Sequence, residues 1–446
     1  MSSLIPDYVS MDSTAQRLAE RIVTRRARLV VFGQGYVGVP EAIDLVDAGY
    51  SVIGVDIDPS RVAALNAGRS PVPDVPGERI VEAVNRGQYR ATTDACVLAT
   101  ADVVIICAPT PLDDNRRADL SAVSAIAQTI SQNLSQTTLV VLESTVPPGA
   151  TRGVVLPILE SEERLVGVDF FLGLAPERID PGNQTFKRAD VPRLVSGLTE
   201  SCRQLTALLY RQVVQTVYPV DTPEVAELAK AVENSFRFIN ISFVNEVALL
   251  CDRLGCNVWE VIDAAASKPY AFLPHYPGPG VGGSCIPVVP HYLQQVAEDL
   301  GVQADLIEAA VRTNDAMPRF VVEKLTRLLG ERGVDLTGGR VLVVGVSYKP
   351  NVADVRESPA RPILQRLLAA GVHAEYHDPL VPRFVVDEGV MESVDLDSTR
   401  VAQVDCVVLL TLHQQIDRSL LLDRARLIFD TRNALKASDR ANVVVL

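Results

Sequence analysis

Cys285 stands in a run of glycine and proline, Pro277-Gly278-Pro279-Gly280-Val281-Gly282-Gly283-Ser284-Cys285-Ile286-Pro287. Glycines let backbone come close to a small ligand, and a thiol among them is placed to attack a carbonyl carbon. Taken singly, a cysteine is more often a buried structural residue. Lys230 and Asn234 lie four residues apart in a helical pattern, on one face and away from the apolar stripe. A lysine beside an amide can hold a developing alkoxide and its proton, although such a pair alone also fits a solvated helix face. Glu177 lies in a loop rich in proline and glycine, Ala175-Pro176-Glu177-Arg178-Ile179-Asp180-Pro181-Gly182. Thr145, in Glu143-Ser144-Thr145-Val146-Pro147-Pro148-Gly149, follows a predicted strand's carboxyl end, where open α/β sheets bind ligands.

Gly33-Gln34-Gly35-Tyr36-Val37-Gly38 follows an apolar strand pattern and opens a helical one. Asp56 comes eighteen residues after Gly38, at the end of the next strand. In that context the glycines admit a pyrophosphate to a helix N-terminus, and the acid can bind both ribose hydroxyls. A carboxylate there disfavours the 2′-phosphate of NADP, so NAD is the expected cofactor.

These residues need strands and helices to hold them. Buried parallel strands are expected at Arg28–Phe32, Ser51–Asp56, Ala101–Cys107 and Thr138–Leu142, with helical patterns between. After Pro223, Phe236, Ile239, Phe243, Val247, Leu250 and Leu254 follow three- and four-residue steps over about thirty residues. A second helical region covers about 291–330. Arg340–Gly345 opens another α/β unit, with later strands at Val372–Tyr376, Cys406–Leu410 and Leu427–Phe429. The expected fold is α/β, two Rossmann-like doubly wound domains joined by a central all-α segment. Its divisions are an N-terminal extension (1–27), a dinucleotide-binding domain (28–218), a central helical and dimerisation domain (219–330) and a second Rossmann-like domain (331–446).

The length of 446 residues supports two or three domains with ample core. A formal charge of −13 argues against a general nucleic-acid or anionic-membrane binder. Seven cysteines without paired spacing, with Cys107, Cys251 and Cys406 in apolar runs, fit reduced thiols in a cytoplasmic protein. Residues 1–27 carry no continuous apolar stretch, so no signal peptide is expected, and no apolar run reaches transmembrane length. No metal is expected.

With these residues in place, the chain resembles the UDP-sugar 6-dehydrogenases, NAD-dependent enzymes that oxidise the C6 alcohol of a UDP-hexose to a carboxylate. The resemblance runs from about residue 28 to the C-terminus, and Ala229–Arg237 and Phe243–Glu246 match closely. It implies that Cys285 is the nucleophile, that Lys230 and Asn234 stabilise the C6 oxygen, and that Glu177 and Thr145 position water and protons. It implies NAD contacts at Gly33, Gly35, Tyr36, Val37, Gly38, Asp56, Arg61, Thr110, Thr145 and Arg356. For the UDP-sugar it implies Glu177, Arg178, Lys230, Asn234, Tyr276, Gly282, Tyr348, Lys349 and Arg432. A role in polysaccharide or glycoside biosynthesis is expected with it, and the apolar surface of the central helices predicts a homodimer through them.

Glu177–Gly182 and Ser267–Gly280 are similar to the UDP-N-acetylhexosamine branch, nearest the UDP-N-acetylglucosamine 6-dehydrogenases, with UDP-glucose the next substrate in order. Ser284 stands where that branch usually has histidine, and serine is more like the UDP-glucose enzymes. The family has an aspartate four residues after its cysteine; here Val289 stands there, without charge or hydrogen-bonding capacity. Ala175 replaces a common serine or asparagine, and His291 is either a substitute base or a packing residue. Three readings follow: full oxidation to the uronate, oxidation that stops at the aldehyde or stalls after it because of Val289, and a non-catalytic paralogue that binds NAD and UDP-sugar.

Overall fold

The computed structural model describes residues 11–72, 75–134, 137–178, 185–437 and 439–446. They form two compact units, one of residues up to Glu233 with His291–Leu300, the other of Asn234–Pro290 with Gly301–Leu446.

The first unit is built on β1 (Arg28–Phe32), β2 (Ser51–Val55), β3 (Tyr89–Thr92), β4 (Val103–Ile106), β5 (Leu139–Leu142), β6 (Phe171–Leu174), β7 (Arg193–Gly197) and β8 (Val217–Pro219). They order as β3-β2-β1-β4-β5-β6-β7-β8, with every neighbouring pair parallel except β6 with β7. Successive side chains of a strand face opposite sides, and the central strands are apolar on both. Leu29, Val31, Val103, Ile105, Leu139 and Val141 therefore feed one core. Val30, Phe32, Val104, Ile106, Val140 and Leu142 feed another on the opposite face.

In the second unit, β9 (Arg340–Val344), β10 (His373–His377), β13 (Cys406–Leu409), β14 (Ile428–Asp430) and β15 (Val443–Val445) make a wholly parallel sheet in the order β10-β9-β13-β14-β15. A separate hairpin pairs β11 (Arg383–Val386) with β12 (Gly389–Glu392). The same alternation sends Val341, Val343 and Val408 to one core and Leu342, Val344 and Val407 to the other. Both sheets bear out the α/β expectation, with helices between them in sequence.

The Pro223–Leu254 helix runs for 32 residues, of which those to Glu233 belong to the first unit. The expected region 291–330 is two helices, Val289–Asp299 and Asp305–Gly330. Most of the stripe used to recognise the long helix faces away from its core, although Ile239 and Val247 pack against it. Phe236, Phe243, Leu250 and Leu254 are more than half exposed, while Phe238, Val244, Ala248 and Cys251 are buried. A regular apolar period marks a helix whichever surface it serves.

Within the residues expected only to extend the chain, Ser13–Val23 is a helix capped by Asp12, with Ala15, Leu18, Ala19 and Ile22 in the first core. Arg21 donates to Asp102 at 2.8 Å, and the same carboxylate accepts from Arg28 N at 2.7 Å. All the cysteines are free. Among the described residues no helix is long and apolar enough to cross a membrane.

Candidate functional site

In the first unit the order β3-β2-β1-β4 puts a topological switch between β1 and β4, so the loops at their carboxyl ends border a crevice. The glycine turn after β1 lies there. A Cβ on Gly38 would sit 1.9 Å from Gly33 O, whereas a Cβ on Gly35 would meet nothing within 4 Å. The outer glycine is thus required by packing of backbone on backbone, and the middle one opens onto free space. That is the cradle a pyrophosphate needs at the start of the Gly38–Asp47 helix. Asp56 ends the crevice on the β2 side. Its Oδ2 accepts from Gln34 N at 2.7 Å and from Arg61 Nη1 at 2.9 Å, and its Oδ1 from Asp58 N at 3.0 Å. Tyr36 and Val37 continue the turn, and on the other side Thr110 Oγ1 donates to Thr145 O at 2.7 Å. These residues fit a dinucleotide, whose nicotinamide would accept a hydride.

Two features missed in the sequence fix this edge. Glu227 accepts from Gly149 N at 2.5 Å and from Thr151 N at 2.8 Å, tying the long helix to the Thr145 loop one turn before Lys230. The second is a buried ionic cluster around Glu177. Arg193 Nη1 donates to Glu177 Oε2 at 2.5 Å and Arg193 Nη2 to Glu41 Oε2 at 2.7 Å, while Arg188 reaches Glu41 at 2.8 Å. Glu143 accepts from Tyr210 OH and lies 3.6 Å from Arg193.

Glu41, Glu143 and Glu177 place oxygens within 4.8 Å of one another, a spacing that suits a metal, but the two guanidiniums already supply the countercharge. Burial pushes Glu143 up to about 8, helped by Glu41 and opposed by Arg193. Burial also acts to raise Glu177, yet Arg193 and Arg188 outweigh it and hold that carboxyl below its ordinary range. Glu177 is accordingly an ionised acid. Arg178 Nη2 pairs with Glu233 at 2.6 Å. Residues 179–182 of the loop that pointed to the hexosamine branch lie outside the described residues.

On the long helix Lys230 is 7% exposed and forms no ion pair among the described residues. One turn on, Asn234 Nδ2 is buried without a hydrogen-bond partner. Neither is the solvated face that the spacing alone allowed. An amide donor buried without a partner is costly unless a ligand answers it, and the lysine one turn before it can meet the same ligand.

The second unit holds the remaining residues. Cys285 is exposed, with Ser284 Oγ 3.7 Å from its sulfur. Its loop is pressed on the Tyr348–Ser358 segment: a Cβ on Gly282 would lie 2.6 Å from Tyr348 Cβ, and Gly283 N donates to Arg356 O at 2.9 Å. Arg356 is clamped by Asp354, Nη2 to Oδ2 at 2.6 Å, and remains within electrostatic reach of Cys285. Val289, 2% exposed, donates its N–H to Cys285 O at 3.0 Å. His291 lies further along the same helix.

Tyr276 stacks on Trp259 at 5.4 Å and donates to Asp263 at 2.8 Å. Arg432 Nε donates to Leu410 O at 2.8 Å, and burial lowers its guanidinium to about 10 against the pull of Asp430. A Cβ on Gly278 would come within 3.1 Å of Arg432 Nη1, which joins the glycine loop to the end of β14.

The turn after β9 repeats the turn after β1. Gly33 N donates to Val55 O and Gly345 N to His377 O, and Asp378 Oδ2 accepts from Val346 N at 2.8 Å as Asp56 does from Gln34 N. Asp378, however, also accepts from Ser347 Oγ, Leu380 N and Val381 N and meets His413 Nε2 at 3.1 Å. Burial acts to raise Asp378, but these hydrogen bonds hold it at about 2. This second acid is consumed in fixing the loop that carries Tyr348 and Lys349, so the dinucleotide edge described above is that of the first sheet.

Comparison with known proteins agrees with this division. Residues 27–214 match the NAD binding domain of the UDP-glucose/GDP-mannose dehydrogenase family, 224–316 its central domain and 342–437 its UDP binding domain. The chain is 35% identical over 425 residues to an NDP-N-acetyl-D-galactosaminuronic acid dehydrogenase of Ralstonia nicotianae, covering 91% of this chain and 96% of that one. It is 33% identical over 356 residues to a UDP-N-acetyl-D-glucosamine 6-dehydrogenase of Pseudomonas aeruginosa, covering 79% and 83%. The solved UDP-D-ManNAc dehydrogenase of Pyrococcus horikoshii superposes with a TM-score of 0.83 at 29% identity, covering 94% of this chain and 98% of that one. The chain thus belongs to the UDP-glucose/GDP-mannose dehydrogenase family, NAD-dependent oxidoreductases of nucleotide sugars.

Proposed function

We propose that this protein oxidises the C6 alcohol of a UDP-N-acetylhexosamine to the carboxylate through a thioester on Cys285, in the cytoplasm and for glycan biosynthesis. The observation that carries the reading is the pair Lys230 and Asn234, a lysine only 7% exposed and without an ion pair beside an amide Nδ2 buried without a hydrogen-bond partner, among the described residues. Both would face a developing C6 alkoxide. As the hydride leaves C6 for NAD⁺, the hydroxyl proton is lost and Lys230 and Asn234 hold the oxygen. The Cys285 sulfur then adds to the aldehyde carbon as the C=O π bond opens and the thiol proton passes to the oxygen, giving a thiohemiacetal. A second hydride, to a second NAD⁺, leaves a thioester; water adds, the C–S bond breaks, and the thiol is restored. Glu177, kept ionised by Arg193 and Arg188, is suited to orient that water.

The hexosamine is supported by the names of the relatives in Ralstonia nicotianae and Pseudomonas aeruginosa. Lys349 and Arg432 would meet the diphosphate, and Tyr276 with Gly282 and Tyr348 the rest of the substrate. Lys230→Met should lower the rate of the first hydride transfer by about 10²-fold or more while NAD affinity stays within a factor of two. A first turnover as fast as the parent's would remove Lys230 from the chemistry.

A slower last step is favoured by Val289, which is buried and apolar in the turn that Cys285 begins. Under this reading NADH appears in a burst while the acyl group waits on Cys285. A homodimer is supported by the long helix, on which Val225, Leu228, Val232, Phe236, Phe243, Leu250 and Leu254 are exposed.

A further inference from the structure

Between the helix that ends at Ala266 and the one that begins at Val289 the chain has no regular element, yet this stretch carries the Cys285 thiol. Gly280 and Gly283 have φ of 130° and 96°, a conformation that gives up more chain entropy than any other residue would. Such a loop does not hold a sulfur in place by itself, and its hydrogen bonds must do so. From Gly278 to Gly283, three backbone N–H groups are bound. Gly283 N meets Arg356 O, and the other two go to side-chain amides on the two longest helices. Asn245 Oδ1 accepts from Gly278 N at 2.9 Å, and Asn314 Oδ1 accepts from Val281 N at 2.7 Å.

Asn245 is fully buried, and its Nδ2 has no partner. An aliphatic residue would suit such surroundings better unless the oxygen were needed. A neutral amide supplies that acceptor without burying a charge. Asn314 sits at the opposite side of the turn, where a Cβ on Gly280 would come within 3.7 Å of its Oδ1.

Resting on the reading of Cys285 as the nucleophile, we propose that Asn245 and Asn314 are positioning residues that clasp the glycine loop and hold the Cys285 sulfur where it captures the aldehyde before it escapes. They act on the second half of the reaction. The first hydride transfer needs no bond to sulfur, so a slack loop should uncouple the two oxidations and release free aldehyde.

The experiment counts NADH formed per sugar consumed, with UDP-N-acetylglucosamine and UDP-glucose as sugars and an O-alkylhydroxylamine present to trap aldehyde as its oxime. Asn314→Leu and Asn245→Leu each remove an acceptor at nearly constant volume, and Asn314→Asp restores it. The parent should give two NADH and no oxime. Each leucine variant should fall towards one NADH with matching oxime, and Asn314→Asp should return towards two.

If either folded leucine variant keeps two NADH per sugar, even at a lower rate, the proposal is overturned. Loss of both equivalents together with a lowered Tm would also overturn it, because that is a purely structural role. A variant that does not fold leaves the other asparagine to decide. A parent that forms no NADH with either sugar would instead overturn the proposed function itself.

Discussion

Glu143 and Glu177 show how neighbours push two carboxyls of one cluster in opposite directions. Glu177 has Arg193 and Arg188 against it and stays below the ordinary carboxylate range; Glu143, further from the guanidiniums and next to Glu41, is pushed up to about 8. An acid whose pKa is raised on folding keeps its proton while the unfolded chain has released it. The stability from neutral Glu143 is therefore complete below about 4.5 and is lost as pH rises towards about 8. Glu177 has the reverse sign: its contribution is present above its unfolded pKa and is lost in acid, as pH falls through its lowered folded value. Between those limits the Glu143 effect should reduce stability by up to about 1 kcal/mol per pH unit. Glu143→Gln keeps an acceptor for Tyr210 and should flatten that part of the curve. Denaturant unfolding of both proteins from pH 5 to pH 8 checks this, and an unchanged slope in the variant would place the titration elsewhere.

At the scale of elements, the glycine turn separates folding from binding. Gly38→Ala drives a Cβ to 1.9 Å from Gly33 O and should destabilise the first unit by roughly 2 kcal/mol or more. Gly35→Ala meets nothing within 4 Å, so it should leave Tm within a degree or two while NAD affinity falls about tenfold or more. Thermal unfolding with and without NAD measures both. Equal NAD affinity in the Gly35 variant would mean that no phosphate approaches that backbone. This turn was legible in the sequence because its residues are contiguous and follow an apolar strand; β1 begins and ends where the pattern put it. Short or mixed strands were not: Tyr89–Thr92 alternates buried and partly exposed residues, and Val217–Pro219 is too short to show a period. The Ser13–Val23 helix was missed because its buried residues are spaced among charges. The ionic cluster was out of reach because Glu41, Glu143, Glu177 and Arg193 meet only after three separate strands are paired. Its one local trace was an acid in the apolar run Val37–Ile43.

At the scale of the whole molecule, the long helix offers exposed apolar residues that its own unit does not cover, and a second copy of the chain is the partner proposed for them. Phe243→Glu with Leu250→Glu, at positions 59% and 60% exposed, should turn a dimer into a monomer without loss of secondary structure. Light scattering on both proteins decides it, and a dimeric variant would move the interface. The central claim is that one protein carries out two linked oxidations on one sugar. Its most direct test is the number of NADH molecules formed per UDP-hexosamine consumed, measured together with the mass of the protein quenched during turnover. Two NADH, a uronate product and an acyl adduct on Cys285 that is absent in Cys285→Ser are the predicted result. One NADH per sugar with free aldehyde as the end product, or two with no dependence on Cys285, would contradict it.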